Sequence, residues 1–197
     1  VAVGDMDGDG DLDIITGNEG RDVVYLNDGG GNFTAARNFG TGSDHTTSVG
    51  VGDMDGDGDL DIVVGNSDFN ADSSQQSKVY LNDGAGNFTT TSNFGTGSDY
   101  ILSVAVGDMD GDGDLDIITG NKRQQNVVYL NDGGGSFRTD GDFARKFGTG
   151  VDNTMSVAVG DMDGDGDLDI ITGNYQQQNV VYLNDGGGNF TAARNFG

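Results

Sequence analysis

"DMDGDGDLD", Asp5 to Asp13, carries five carboxylates in nine residues, one at every second position. Like charges ~4 Å apart repel by ~1 kcal/mol in water and by several times that near a protein surface. The same nine residues recur at Asp53–Asp61, Asp108–Asp116 and Asp161–Asp169. Whatever makes the first loop worth folding therefore acts four times. Counted from the first Asp, carboxylates fall at positions 1, 3, 5, 7 and 9, and a glycine (Gly10 in the first loop) at position 6. Oxygen ligands at 1, 3 and 5, a backbone carbonyl at 7 and a sharp glycine turn at 6 form a Ca²⁺-loop pattern shared with EF-hands. An EF-hand also needs a bidentate Glu at position 12 and flanking helices. Position 12 here is Thr16, Val64, Thr119 or Thr172, each in a predicted strand, so this is no EF-hand. Mg²⁺ favours fewer carboxylates and retained waters, and zinc favours His or Cys. The spacing predicts four structural Ca²⁺ ions, one per loop, which would take the formal charge from −24 to −16. The repulsion is offset when an ion arrives, which couples binding to folding.

The rest of the composition agrees. The chain has 197 residues, 34% of them hydrophobic, enough for one domain with a core. Its 37 glycines with no proline recur at fixed places and read as turns. Asp supplies every acid but Glu19. So acidic a surface argues against nucleic acid and anionic membranes. The absence of cysteine excludes disulfides, thiolate zinc sites and a cysteine nucleophile. No apolar run is long enough to insert in a membrane. We expect a mature or excised piece of a longer secreted protein, with an extracellular or cell-surface location.

The loops begin at steps of 48, 55 and 53 residues, and the same order of segments repeats around each. In the first unit "VAVGD" (Val1–Asp5) precedes the loop, and "DIITGN" (Asp13–Asn18), "VVYLND" (Val23–Asp28) and "NFTAARNFG" (Asn32–Gly40) follow it. All four favour strands. "NDGGGN" between the last two is a hairpin-type turn. No stretch holds a 3.6-residue apolar period, so almost no helix is expected. Four antiparallel strands in roughly 50 residues suit a propeller blade. The expected fold is all-β: a β-propeller of four-stranded antiparallel blades, with four blades at residues 1–40, 41–95, 96–148 and 149–197.

"VAVGDMDGDGDLDIITGN…VVYLNDGGGNFT" resembles the FG-GAP/VCBS repeat of integrin-type calcium-binding propellers and many secreted proteins, and the resemblance covers the whole chain. It implies that position 9 (Asp13, Asp61, Asp116, Asp169) supplies the last side-chain ligand. By the same resemblance positions 1, 3 and 5 bind through side chains: Asp5, Asp7 and Asp9; Asp53, Asp55 and Asp57; Asp108, Asp110 and Asp112; Asp161, Asp163 and Asp165. Position 7 (Asp11, Asp59, Asp114, Asp167) would bind through its carbonyl, its carboxylate turned outward. Family members close with six to eight blades. Four blades could close alone, two chains could form an eight-bladed ring, or the piece could belong to a longer array.

The differences between units gather at one end. The second–third connections read "NEGRD", "NSDFNADSSQQSK", "NKRQQN" and "NYQQQN". Twelve aromatics recur and read as core; Phe69, Tyr100 and Tyr175 are unique and fall in variable connections. Aromatics beside Asn, Gln and Asp suit stacking on a sugar ring, and loop packing or a contact between chains is the plainer alternative. Asn32, Asn87 and Asn189 begin "NFT" sequons for N-glycosylation. His45, the sole histidine, has no evident catalytic companions, so no enzyme is expected. The expectation is a non-catalytic adhesion or binding module with a carbohydrate or protein ligand on the variable face. The alternatives are a fibre or surface-layer subunit that self-associates, and an ancillary domain of a secreted enzyme.

Overall fold

The computed structural model describes residues 1–67, 75–137 and 143–197, and among them every regular element is a strand. The first acidic loop joins β1 (Ala2–Gly4) to β2 (Asp13–Thr16), which pairs with β3 (Glu19–Leu26) and then β4 (Ala35–Gly52). β5 (Asp61–Asn66), β6 (Ser77–Leu81) and β7 (Thr90–Phe94) continue the same sheet, giving seven strands in chain order. The other two sheets have four strands each. One holds β8 (Ile101–Gly107), β9 (Asp116–Asn121), β10 (Asn126–Tyr129) and β11 (Ala144–Phe147). The last holds β12 (Thr154–Gly160), β13 (Asp169–Asn174), β14 (Asn179–Asn184) and β15 (Phe190–Phe196). All named pairings are antiparallel, as the β-branched and aromatic runs between glycine turns require.

The sheets therefore number seven, four and four strands rather than four sets of four. The cause is β4, which serves two units. Its first half pairs with β3 up to Asp44–Gly20 and His45–Glu19, and its second half pairs with β5 from Thr46 onward. In the first unit "NEGRD" extends β3 instead of forming a loop, and that draws the chain past residue 40 without a break.

The core lies between units, not within them. One cluster joins Met6, Ile15, Val24 and Phe39 to Val49, Ile62 and Tyr80 of the next unit. A second joins Met54, Val63 and Phe94 to Ile101, Ile117 and Tyr129; a third joins Met109, Ile118 and Phe147 to Val157, Ile170 and Tyr182. Each fully buried aliphatic or aromatic side chain contributes ~1.5–3 kcal/mol. The inner strands β5 and β9 are buried at every residue, covered on both faces, whereas β2 alternates. Strand packing between units runs β1 with β4, β4 with β8 and β8 with β12. The series does not close into a ring: Val3, Leu12 and Phe33 at one end and Met162 and Phe196 at the other stay exposed.

A ring trio recurs at each junction. Phe39 meets Tyr80 at 5.1 Å and Phe88 at 5.7 Å; Phe94 meets Tyr129 and Phe137; Phe147 meets Tyr182 at 5.1 Å and Phe190. Nine of the twelve repeated aromatics are placed this way. Tyr25, Phe33 and Phe196, expected in the core, are 36%, 39% and 44% exposed, because each lacks the neighbouring unit that would complete its trio.

A candidate metal centre in each repeat

Each acidic loop is organised by its first Asp. The N–H of Gly8 donates to Asp5 Oδ1 at 2.8 Å and that of Gly10 to Oδ2 at 2.9 Å. Asp53, Asp108 and Asp161 collect the equivalent N–H groups of Gly56 and Gly58, Gly111 and Gly113, and Gly164 and Gly166. The bend needs left-handed backbone at position 6, where Gly10 has φ of 93°.

Position 9 is a clamp. Asp13 is fully buried; its Oδ2 accepts the N–H of Met6 and its Oδ1 that of Asn27, both at 2.8 Å. One carboxylate thus ties the loop's entrance, its exit and the end of the third strand. Asp61, Asp116 and Asp169 repeat both bonds, to Met54 and Asn82, Met109 and Asn131, and Met162 and Asn184. Burial pushes Asp61 up to about 6 and Asp116 up to about 7, against the relief these N–H donors provide.

Carboxylate oxygens within 4.8 Å of one another converge in every repeat: Asp5, Asp7 and Asp13; Asp53, Asp55 and Asp57; Asp108, Asp110 and Asp116; Asp161, Asp163 and Asp169. Positions 1 and 3 belong to all four clusters, joined by position 9 in three and by position 5 in the second. Asp9, Asp112 and Asp165 stand outside; their Oδ1 atoms accept the N–H two residues on. The position-7 carboxylates do not turn to open solvent. They lie against the third–fourth turn: the place a Cβ would take on Gly29, Gly84, Gly133 or Gly186 is 2.5–2.7 Å from Oδ2 of Asp11, Asp59, Asp114 or Asp167.

A cation fits this donor set. Asp7 Oδ1 and Asp110 Oδ1 are buried without a hydrogen-bond partner. Burial first, then the charges of neighbouring aspartates, pushes the carboxyls of Asp7, Asp55, Asp110 and Asp163 upward. A bound dication would offset both, because it favours the ionised carboxylates. The side-chain donors of each cluster are all carboxylates, which suits a hard ion such as Ca²⁺.

At the variable end, Tyr100 and Tyr175 line adjacent grooves of about 360 and 420 Å³ that share Lys122 and Arg123. Tyr175 and Met155 are both more than half exposed there. Phe69 lies outside the described residues. Three glutamines of these connections are engaged within the fold. Gln75, Gln124 and Gln177 accept the N–H groups of His45, Tyr100 and Asn153, tying each second–third turn to an inter-unit connection. Asn32, Asn87 and Asn189 are exposed, with their amides donating to Asp28, Asp83 and Asp185. The sequence reading missed the asparagine that ends or closely follows the third strand. Asn82, Asn131 and Asn184 donate to the carbonyls of Met6, Met54 and Met109 in the preceding unit's acidic loop, at 2.8–2.9 Å. Its signal was the repeated "LND".

No curated protein matches this chain. Among solved structures it is similar to one titled "Crystal structure of BBS1N in complex with ARL6DN, soaked with lead", with a TM-score of 0.61 at 11% identity. That likeness covers 96% of this chain and 54% of the other, so the chain spans about half the length of its structural neighbour. The profile of the FG-GAP-like repeat matches residues 5–64, 65–119, 108–172 and 161–197. Four matches that together run from the first acidic loop to residue 197 put this chain in the FG-GAP-like repeat family.

Proposed function

We propose that the chain is an extracellular calcium-loaded repeat module, its units consecutive blades of a β-propeller, with structural ions and a ligand face at the variable end. The observation that carries the metal assignment is the buried, unpartnered oxygen of Asp7 and of Asp110 inside clusters of three carboxylates. Each ion would draw positions 1 and 3 together beside the position-9 clamp and so fix the first strand of a unit to its second and third. Loops this exposed suit Ca²⁺ at extracellular levels, where weak sites remain loaded. Thermal unfolding with added Ca²⁺ and with chelator tests the assignment. The melting temperature should rise with Ca²⁺, and calorimetry should count four sites, falling to three in Asp110→Asn. A melt indifferent to Ca²⁺ would remove the proposal.

The module is read as non-catalytic, serving adhesion or binding of a carbohydrate or protein. Tyr175, 58% exposed over a groove with an apolar floor of Leu102 and Met155, supports a stacking ligand. A glycan array on the Ca²⁺-loaded chain, repeated with Tyr175→Ala, checks this. Hits that survive the substitution would place the ligand elsewhere.

A further inference from the structure

The second–third turns of the third and fourth units, "NKRQQN" (121–126) and "NYQQQN" (174–179), differ at two places only. Lys122 and Arg123 stand where the fourth unit has Tyr175 and Gln176. Both pairs line the groove of about 420 Å³, together with Leu102 of β8 and Asn153 and Met155 at the start of the fourth unit. Lys122 and Arg123 also border the groove of about 360 Å³ beside Tyr100. The walls of the larger groove thus come from two consecutive units, and it lies between them rather than on an end face.

The charge of this region is opposite to that of the chain. Acids number 33 and bases nine, yet among the described residues no Asp or Glu lines either groove. The acids next to them in sequence are engaged elsewhere: Asp99 accepts the N–H and hydroxyl of Thr96, and Asp152 those of Thr149. Arg123 is exposed and holds left-handed backbone, with φ of 54°, as does Gln176 at 57°. They are the only non-glycine residues with positive φ among the described residues. A long side chain kept at a place that favours glycine points to a use for that side chain.

We propose that this groove binds an acidic glycan: a pyranose ring stacks on Tyr175, and its carboxylate or sulfate pairs with the guanidinium of Arg123, with the charge of Lys122 beside it. The assignment rests on the stacking reading of Tyr175 given above and adds the chemistry of the ligand. A planar guanidinium meets either anion with two parallel hydrogen bonds. The backbone N–H groups of Lys122, Arg123 and Tyr175 are already donated to the carbonyls of Tyr100, Asp152 and Asn153, at 2.8–2.9 Å. An extended peptide would therefore find few main-chain partners here. The formal charge of −24 opposes a densely charged polyanion such as nucleic acid. Acid groups spaced apart by neutral rings avoid that repulsion.

An array of neutral, uronate-bearing and sulfated oligosaccharides, with a polyglutamate peptide spotted alongside, tests this on the 197-residue chain in Ca²⁺ buffer. Binding should be confined to glycans with an acid group, and the uronate and sulfate spots tell which acid supplies it. Arg123→Gln gives the third unit the residue that the fourth unit already holds at the same backbone angle, so the fold tolerates it. It should weaken acidic glycans roughly tenfold and narrow their lead over neutral counterparts, and Gln176→Arg should widen that lead. Tyr175→Ala should lose glycan binding altogether. Neutral hits that need Tyr175 and ignore Arg123 would overturn this inference and leave the stacking reading standing. Acidic hits that ignore Arg123 would overturn it too. Polyglutamate bound through Arg123, with no glycan bound, would overturn it and assign the groove to acidic peptides. An array without hits removes both readings.

Discussion

Val23–Gly40 and Val180–Gly197 are the same eighteen residues, "VVYLNDGGGNFTAARNFG". One copy sits in the first unit and the other in the fourth, and their burial is reversed. Tyr25 is 36% exposed and Tyr182 5%; Phe39 is 5% exposed and Phe196 44%. Local sequence cannot cause the difference. Each unit has one face for the unit before it and one for the unit after, and an end unit fills only one of them. The stability of this protein therefore resides in its junctions. That is the expected energetics of a repeat array, in which each unit contributes through its nearest neighbours.

The widest separation should come from the paired phenylalanines. Phe39→Ala empties a packed trio and should cost ~3–5 kcal/mol. Phe196→Ala in the identical sequence context should stay within ~0.5 kcal/mol, measured by denaturant unfolding of dilute single chains. Equal losses would mean that the fourth unit's outer face is covered. The glycine notches come next. Gly107→Ala drives a Cβ into Leu168 and should cost ~1–3 kcal/mol, whereas Gly160→Ala meets open space and should be within ~0.5 kcal/mol of neutral.

The smallest effect belongs to a position where the first unit departs from the others. Asp22 is fully buried and accepts the N–H of Asn18 and the hydroxyl of Thr46. Ser77, Asn126 and Asn179 accept the same backbone N–H in the later units. In the third unit Asn126 donates to Thr154, which donates to Asn174. Burial pushes the Asp22 carboxyl up, against its two hydrogen bonds. The folded chain thus holds its proton to higher pH than the unfolded one, so the stability from this group is complete below the usual carboxylate range and is lost as pH rises through the raised value. Asp22→Asn reproduces the third unit's hydrogen-bond chain without a charge. It should stabilise by about 1 kcal/mol at neutral pH, with the gain vanishing on acidification. A pH-independent gain would assign the effect to packing.

Much of this architecture was legible in the residues. The period-two runs between glycine turns gave strands, and the fixed order around each "DMDGDGDLD" gave four equivalent units. The acidic loops were legible as sites because carboxylates at alternate positions around a glycine bend must converge. Their internal division of labour was not. Position 9 reads as one more ligand in the sequence, yet in the fold it ties three backbone segments through two N–H groups. Position 7 has the same residue type and rests on a glycine of a turn eighteen to twenty-five residues away. Likewise Gln124 and Gln177 look like ligand-face residues but tie a second–third turn to an inter-unit connection.

What the sequence determined by itself is local: strand, turn and a charge-focusing loop, because these depend on alternation and on glycine backbone within a few residues. The tertiary structure alone decided which of two identical segments is buried on which face, since burial depends on what stands alongside. It alone also joined two units through the continuous β4, because that strand's pairing with Glu19 and Gly20 draws on residues some twenty-five positions away.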